Sequence, residues 1–226
     1  MNSAVHDEVS AQEEAYYDIL RPLVSTYSRT PHIRSVAVVG NQPLAPSAQR
    51  AAVIDAADLV FRVNGFRLDE DEPTVGRRAD VVVFNRGVRP TPWFFQDYTR
   101  RLYLMIEPGR MHEENPKIPD FWPRDLGIVT LANREVIVPL NRVIGQQSAV
   151  DGLWATTGTT MLWTATRLFP NATVDVAGLS FVDAPEQRTW SHAFGDPSAV
   201  GPEHLIANEG RLVRDWISSG RIRFHR

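Results

Sequence analysis

Short apolar runs recur along the chain, and each has the length of a β-strand rather than of a helix. The runs are rich in β-branched residues and show little alternation of polar and apolar positions. This pattern is typical of strands that are buried on both faces of a parallel sheet. We predict five such strands: Ser35–Val39, Asp58–Arg62, Asp80–Phe84, Arg101–Ile106 and Thr173–Ala177.

Helical patterns lie between and after these runs. Residues Thr157–Phe169 fit one helix, and the tail Glu203–Gly220 fits another that ends at its glycine. Strands that alternate with helices predict an α/β fold, in which a Rossmann-like, mostly parallel sheet is flanked by helices.

Two segments stand apart from the alternation. The N-terminal helix, predicted for Val9–Tyr27, has an apolar side that Pro22 interrupts or kinks, formed by Tyr16, Tyr17, Ile19 and Leu20. We expect residues 1–30 to be an extension that packs outside the sheet, and residues 31–226 to form one nucleotide-binding domain. Residues 107–141 are rich in proline, tryptophan and charge, and their weak periodicity predicts a small lid or insertion.

Composition removes several classes of function. The 226 residues carry a net charge of -3 without a basic stripe, so a nucleic-acid partner is not expected. The chain has no cysteine, which excludes disulfides, thiolate metal sites and cysteine nucleophiles and fits a reducing compartment. The polar, acidic N-terminus is unlike a signal peptide, and no apolar run is long enough to span a bilayer. We therefore expect a cytoplasmic protein without an integral membrane segment.

Asparagines follow three of the predicted strands. Gly40 and Asn41 come after the first strand, while Asn64 and Asn85 end the next two. The carboxyl ends of parallel strands meet at one edge, so these side chains are expected to converge where α/β folds bind ligands. Asparagine can read a pyrimidine edge or ribose hydroxyls, although turn and cap roles are the commoner alternative. The chain has no GxGxxG or Walker sequence, which argues against a dinucleotide or ATP site of the usual kind.

A run of threonines begins the predicted helix at Thr157. Thr156 and Thr157 precede Gly158, so their hydroxyls and the free amides of the first turn could hold an anion. Simple capping of the helix explains the same residues and is compatible with anion binding.

Two histidines lie after the last strong strand. His192 and His204 are candidates for a base that removes a proton from a hydroxyl and for a group that stabilises a departing phosphate. The remaining histidines are interpreted as ordinary surface residues: His6, His32, His112 and His225.

A metal site is the weaker interpretation of the acidic triplet Asp69-Glu70-Asp71. The triplet matches the DxD pattern that can hold a divalent ion on donor phosphates. It lies in an acidic run that does not directly end a strand, and a solvated loop explains it equally well. We predict that the protein binds no metal.

These elements, in this order, resemble the sialyltransferases. Val38–Asn41, Asp58–Asn64 and Val75-Gly76 resemble the large motif of that family, which binds the cytidine nucleotide of the donor. Thr157–Leu162 with Val174–Phe181 resembles the small motif. His192-Ala-Phe resembles the third motif, and the spacing of His204 and Glu209 matches the His-x4-Glu of the very small motif. A bacterial sialyltransferase family shares the Gly-Asn, Phe-Arg-x-Asn and Phe-x-Asn signatures.

The resemblance implies a glycosyltransferase with a type-A-like fold that inverts the sugar of a CMP-activated donor and uses no metal or other cofactor. Asn41 and Asn64 would hold the nucleotide, with Gly40 and Asn85 as further contacts, and Thr157 and Gly158 would line the donor phosphate or ribose. His204 would be the base and His192 would assist the leaving phosphate. Glu209 would orient His204 or have a structural role, and Thr156 and Ser180 would be supporting residues.

The chain departs from the family at three places. It lacks the paired cysteines of the animal enzymes, Ala193 replaces a usual tyrosine, and Ser180 stands where bacterial relatives carry an aspartate. The acceptor and even the donor can therefore differ. Hydrolysis of a cytidine-linked substrate, or a non-catalytic nucleotide-binding role, is the alternative.

Overall fold

Seven parallel strands form the central sheet of the computed structural model, which describes residues 10–107, 121–146, 151–195 and 197–226. The strands are β1 (Ser35–Val39), β2 (Leu59–Val63), β3 (Val81–Asn85), β4 (Leu102–Ile106), β5 (Ile128–Thr130), β6 (Thr173–Ala177) and β9 (Arg223–His225). Their order is β5-β4-β3-β2-β1-β6-β9, and each neighbouring pair is parallel. A small antiparallel ribbon pairs β7 (Thr189–Trp190) with β8 (Ser198–Ala199).

Helices cover the sheet. They are α1 (Ala11–Ser25), α2 (Ala48–Ala56), α3 (Val138–Val143), α4 (Thr157–Leu168) and α5 (Ile206–Ser218), and a π-helical turn at Asn133–Ile137 leads into α3. Short 3-10 turns occupy Tyr98–Arg100 and Ser180–Val182. The α/β class and the mostly parallel sheet are thus confirmed. No helix in the described ranges is both long and apolar enough to cross a membrane.

The strands are buried on both faces, as their sequence predicts. Val36 and Val38 of β1 pack into the main core with α1, α4 and α5, while Ala37 and Val39 face a smaller core with Ile54 of α2. The opposite face of β3 and β4 packs in an aromatic core that contains Phe66, Phe84, Phe94, Tyr103 and Trp122. Alternation between two apolar environments explains why each run reads as continuously apolar.

Element boundaries differ little from prediction. β1 and β6 have the predicted bounds, and β2, β3 and β4 begin one residue later than predicted. The last helix begins at Ile206 rather than Glu203, because residues 201–204 form a turn that His204 N–H closes on Gly201 O at 3.2 Å.

Helix α1 contributes buried residues to the core of the domain. Tyr17, Leu20 and Val24 belong to the main core, and α1 packs on α4. The helix continues through Pro22 to Ser25, so the predicted interruption is wrong. Ile19 is 78% exposed and does not lie on the apolar side.

The predicted lid divides into two parts. Residues 108–120 lie outside the described residues. Residues 128–143 are part of the sheet and core, because β5 pairs with β4 and Leu131, Val136 and Leu140 are buried in the main core. A three-residue strand followed by a π-helical turn has neither of the regular periods that would reveal it in the sequence.

Candidate active site

The order of the strands reverses next to β1, which has β2 on one side and β6 on the other. A cavity of about 370 Å³ opens at the carboxyl ends of these strands, where open α/β sheets bind their ligands. Its lining includes the following predicted site residues: Gly40, Asn41, Asn64, Asn85, Thr156, Thr157, Gly158, Ser180, His192 and His204. The structure therefore brings together residues from four separate motifs of the sequence.

Gly40 is required by close packing between two strand ends. A Cβ at this position would lie 2.2 Å from Gly178 O, and Gly178 itself has φ +72°. The Gly40 N–H donates to Ala177 O at 2.8 Å. The Gly40 amide is therefore used within the sheet, and the small residue allows the ends of β1 and β6 to approach each other closely.

The three asparagines connect the rim of the cavity. Asn41 Nδ2 donates to Val63 O at 2.9 Å and to Gly65 O at 2.7 Å, which fixes the turn after β2. Asn64 has φ +50°, and its Oδ1 accepts from Asn85 N–H at 3.2 Å. Asn85 Nδ2 in turn donates to Thr157 Oγ1 at 3.1 Å. These bonds hold the ends of β1, β2 and β3 and the start of α4 in one fixed arrangement.

The first turn of α4 offers backbone amides to the cavity. Thr156 is the N-cap, and its hydroxyl oxygen accepts from Thr159 N–H at 3.3 Å. The first backbone bond of the helix runs from Thr160 N–H to Thr156 O, so the N–H groups of Thr157 and Gly158 precede it. Both residues line the cavity. The helix dipole and these amides favour an anion at this position.

Glu209 lies beneath this turn and is fully buried. Its carboxylate accepts from Thr156 N–H at 3.1 Å and from Thr156 Oγ1 at 2.6 Å, and it also accepts from the Thr159 hydroxyl. Burial raises the pKa of Glu209, while the threonine hydrogen bonds and the nearby His204 oppose that rise. The contacts of Glu209 are with the start of α4, so it positions the first turn of that helix.

His204 is held in place by the backbone of Trp154. Its Nδ1 lies 2.9 Å from Trp154 O, and since a carbonyl only accepts, Nδ1 carries the proton. The other ring nitrogen, Nε2, lies 3.6 Å from Glu203 Oε1. Trp154 N–H also donates to Glu203 O at 3.0 Å, which holds the two segments together.

His192 also lines the cavity, and Ser180 lies on the turn that follows β6. The His192 ring stacks on Phe194 with centroids 4.9 Å apart. Ala193 N–H donates to Asn41 O at 2.8 Å, so the loop that carries His192 is fixed to the end of β1.

The acidic triplet has a structural explanation. The carboxylate of Asp69 accepts from the backbone N–H groups of Thr74, Val75 and Gly76. None of residues 69–71 lines the cavity. Within the described ranges no cluster of three histidine, aspartate or glutamate side chains is placed to hold a metal ion.

Sequence reasoning missed two neighbours of His204. Trp154 holds His204 through its backbone carbonyl, and the carboxylate of Glu203 faces the ring. No local pattern marks Trp154, because its contact with His204 joins residues 50 positions apart. Glu203 directly precedes His204 in the sequence, and that adjacency was the available signal.

Two solved structures have the same fold as this chain. A crystal structure of a mammalian sialyltransferase matches with a TM-score of 0.60 and 15% identity, over 98% of this chain and 87% of that chain. A mammalian sialyltransferase in complex with Gal-beta-1-3GalNAc-ortho-nitrophenol matches with a TM-score of 0.59 and 15% identity, over 96% and 86% of the two chains. No protein-family model and no curated protein matches the sequence. The chain therefore has the fold found in mammalian sialyltransferases.

Proposed function

We propose that this protein is a sialyltransferase-like glycosyltransferase that moves sialic acid, or a related sugar, from a CMP-activated donor to a hydroxyl acceptor. The observation that carries the proposal is the position of His204. His204 is held through Nδ1 by the carbonyl of Trp154 and lines the same cavity as Thr157 and Gly158, in a fold shared with mammalian sialyltransferases. A base and an anion site on one cavity are the two groups that such a transfer needs.

The donor would be held along the rim. Amides of Thr157 and Gly158 would bind the phosphate at the positive end of α4, and Asn41, Asn64 and Asn85 would contact the nucleotide. Because Asn41 Nδ2 already donates to two backbone carbonyls, its Oδ1 is the atom that would accept from the ligand.

The reaction would be a single inverting displacement. His204 Nε2 takes the proton of the acceptor hydroxyl while that oxygen forms a bond to the anomeric carbon. The bond from this carbon to the phosphate oxygen breaks, and CMP leaves with the electron pair. Glu203, 3.6 Å from Nε2, stabilises the imidazolium that results, and His192 and the α4 amides stabilise the phosphate of CMP. These groups balance the charge without a metal ion.

The donor site is tested by calorimetry with CMP, CDP, UMP and AMP in the presence of a chelator. We expect selective binding of CMP that is weakened about tenfold or more in Asn64→Gly, because one set of polar contacts is lost. Glycine retains the positive φ of this position. Asp97→Gly is the matched control, since Asp97 also has a positive φ, of +52°, but is exposed and lies outside the cavity. Equal binding of all four nucleotides would overturn the donor assignment.

Turnover is tested with CMP-sialic acid and a glycoside acceptor. In His204→Asn the amide can replace the Nδ1 hydrogen bond but provides no base, so we expect about a 10²- to 10⁴-fold fall in kcat with CMP affinity unchanged. The exposed His32→Asn is the control. A hydrolase would release free sialic acid and form no sialylated glycoside. A non-catalytic binding protein would bind CMP without any turnover.

A further inference from the structure

The two oxygens of the buried Glu209 carboxylate are bound unequally. Oε2 accepts from Thr156 N–H at 3.1 Å, from Thr156 Oγ1 at 2.6 Å and from the Thr159 hydroxyl. In the described part of the chain, Oε1 accepts from the same Thr156 N–H alone, at 3.2 Å. One oxygen of this fully buried group is therefore well bound, while the other has unused acceptor capacity.

The threonines around Glu209 can accommodate a proton on it. The Thr156 hydroxyl oxygen accepts from Thr159 N–H at 3.3 Å and lies 3.1 Å from Thr159 Oγ1. A hydroxyl group both donates and accepts, and its hydrogen can rotate. If Glu209 is protonated, its O–H can donate to one of these hydroxyls without a movement of heavy atoms. Both protonation states therefore fit the same local structure.

Glu209 and a bound anion share the positive end of α4. Glu209 binds the Thr156 N–H, and the next two residues, Thr157 and Gly158, line the cavity. A phosphate held by their amides would face the Glu209 carboxylate across one helical turn, with protein rather than water between them. Two unit charges about 10 Å apart inside a protein repel by an amount that corresponds to a change on the order of tenfold in an equilibrium constant.

The other charged groups near Glu209 lie on two segments. His204 precedes α5, and its positive charge favours the ionised carboxylate. Glu203 Oε1 lies 3.6 Å from His204 Nε2 and attracts the same charge. Arg214 lies on α5 with Glu209 and donates to Val182 O at 2.8 Å. Burial is the largest influence and raises the pKa of Glu209, so a further negative charge acts in the same direction.

We propose that Glu209 takes up a proton from solvent when the donor phosphate binds at the start of α4, and releases it when the phosphate leaves. The inference rests on the proposed function and makes Glu209 a positioning residue whose charge depends on the occupancy of the site. Because binding takes up a proton, affinity is highest below the pKa that Glu209 has in the free protein. Affinity then falls as the pH rises towards the pKa that Glu209 has in the complex.

Proton uptake is measured by calorimetry with the methyl ester of CMP. This phosphodiester carries one negative charge throughout the range from pH 5 to 8, so the ligand itself does not titrate. Titrations at one pH in buffers of different ionisation enthalpy give the number of protons taken up. We expect a maximum of about half a proton within this range and a total fall in affinity of about tenfold, as linkage requires when binding changes the acid dissociation constant of one carboxyl tenfold.

Glu209→Gln separates this role from a purely structural one. Glutamine has the shape of the protonated carboxyl and is neutral at every pH. We expect the variant to bind without proton uptake and to bind at pH 8 about tenfold more tightly than the natural protein. A purely structural role for Glu209 predicts weaker binding with the natural uptake retained, which would overturn the proposal. Glu70→Gln, at an exposed ion pair with Arg67, is the matched control and should keep the uptake.

The two histidines of the cavity are the competing sites for the proton. His192→Asn and His204→Asn are titrated in the same way, and both are expected to retain the uptake. In His204→Asn its maximum should move to higher pH, because the positive charge that opposes protonation of Glu209 is gone. Uptake that is lost in either histidine variant and retained in Glu209→Gln would place the proton on that histidine and overturn the proposal.

Two further measurements cover a variant that does not fold and a nucleotide that does not bind. Infrared difference spectra of the natural protein with and without CMP methyl ester should show a protonated carboxyl only in the complex, and absence of that band would overturn the proposal. Binding without proton uptake defeats this inference alone. If CMP methyl ester does not bind, the proposed function fails, and the same titration with sulfate, whose charge is constant in this range, tests the coupling. Sulfate that binds without a proton, or does not bind, would overturn it.

Discussion

Charged side chains between β1 and β3 bind backbone groups of the same region, whereas Thr157 and Gly158 at the start of α4 line the cavity. Arg62 donates from Nε to Arg78 O at 2.8 Å and from Nη2 to Val75 O at 2.8 Å, and it is 1% exposed. Asp69 is bound by three backbone amides of residues 74–76. Thr157 and Gly158, by contrast, line the cavity ahead of the first intrahelical bond.

The difference separates resemblance in sequence from position at the cavity. The long Asp58–Asn64 segment carries the most extended resemblance to the sialyltransferases, yet most of its polar atoms stabilise the fold. Only its last two residues, Val63 and Asn64, line the cavity. The shorter segments that contain Thr157 and His204 line the same cavity.

The largest expected effect is the loss of stability in Arg62→Met. Burial lowers the pKa of Arg62 to about 10, so its charge is costly, but removing it leaves buried carbonyls of Val75 and Arg78 without donors. We expect the free energy of unfolding in urea to fall by about 2–4 kcal/mol. Arg67→Met, at an exposed ion pair, is the control. A stable Arg62→Met variant that has lost CMP binding would place Arg62 in the site instead.

Gly158→Ala should weaken nucleotide binding and leave the stability of the fold unchanged. The added Cβ would lie 3.2 Å from Leu179 Cδ2, a side-chain end that can shift, and alanine suits a helix better than glycine. The fold should keep its melting temperature. The methyl group would stand in front of the α4 amides, so we expect CMP affinity by calorimetry to fall about 10- to 100-fold. Unchanged affinity would remove these amides from the donor site.

Asp58→Asn should weaken the fold in a pH-dependent way. Burial pushes the pKa of Asp58 up, but hydrogen bonds from Arg34 N–H, Ser35 N–H and the Ser35 hydroxyl outweigh it and hold this pKa below its usual value. A carboxyl pKa that is lower in the folded protein stabilises the fold at pH values above the pKa of the unfolded state, which is about 4. This stabilisation is lost as the pH falls through the pKa of the folded state.

Urea unfolding at pH 7, 5 and 3 measures this effect. At pH 7 and 5 we expect Asp58→Asn to be less stable than the natural protein by about 1 kcal/mol. The difference should narrow at pH 3, where the natural carboxyl begins to be protonated. A difference that is equal at all three pH values would show that the charge of Asp58 has no part in it.

The smallest effect is expected at the acidic triplet. Asp71→Asn and added chelator should each leave the rate of CMP release unchanged, because Asp69 is bound to its loop and the triplet lies outside the cavity. Rates with chelator, magnesium and manganese are compared for both proteins. Loss of turnover in chelator that manganese restores, together with a slow Asp71→Asn variant, would establish a metal-dependent enzyme.

Much of the sheet could be predicted because its strands are buried on both faces and read as apolar runs. β9 was missed because Arg223 and His225 are polar, and they are held by the buried Asp175 of β6 at 2.6 Å and 2.7 Å. No local pattern reveals such a pairing, since Asp175 and Arg223 are 48 positions apart. Helix α2 was missed because its only buried residues are Arg50, Ala51 and Ile54, a weak apolar face.

Most of the candidate site could be predicted from residue type and position at strand ends. The convergence of Asn41, Asn64 and Asn85 follows from parallel strands, and the structure places them on one rim. The role of Gly40 could not be predicted, because its neighbour Gly178 is far away in the sequence. The contact of Glu209 with Thr156 was equally hidden, since a sequence does not show which helix end lies over a buried carboxylate.

The position of β1 between β2 and β6 has a consequence for how the protein folds. Ser35 pairs with Thr173, so the central strand gains its second neighbour only after most of the chain has been traversed. Contacts of such high sequence separation are formed late and slowly, because a long loop must close before the pairing stabilises it. The cavity lies at this junction, and we expect it to be among the last parts of the molecule to form during refolding.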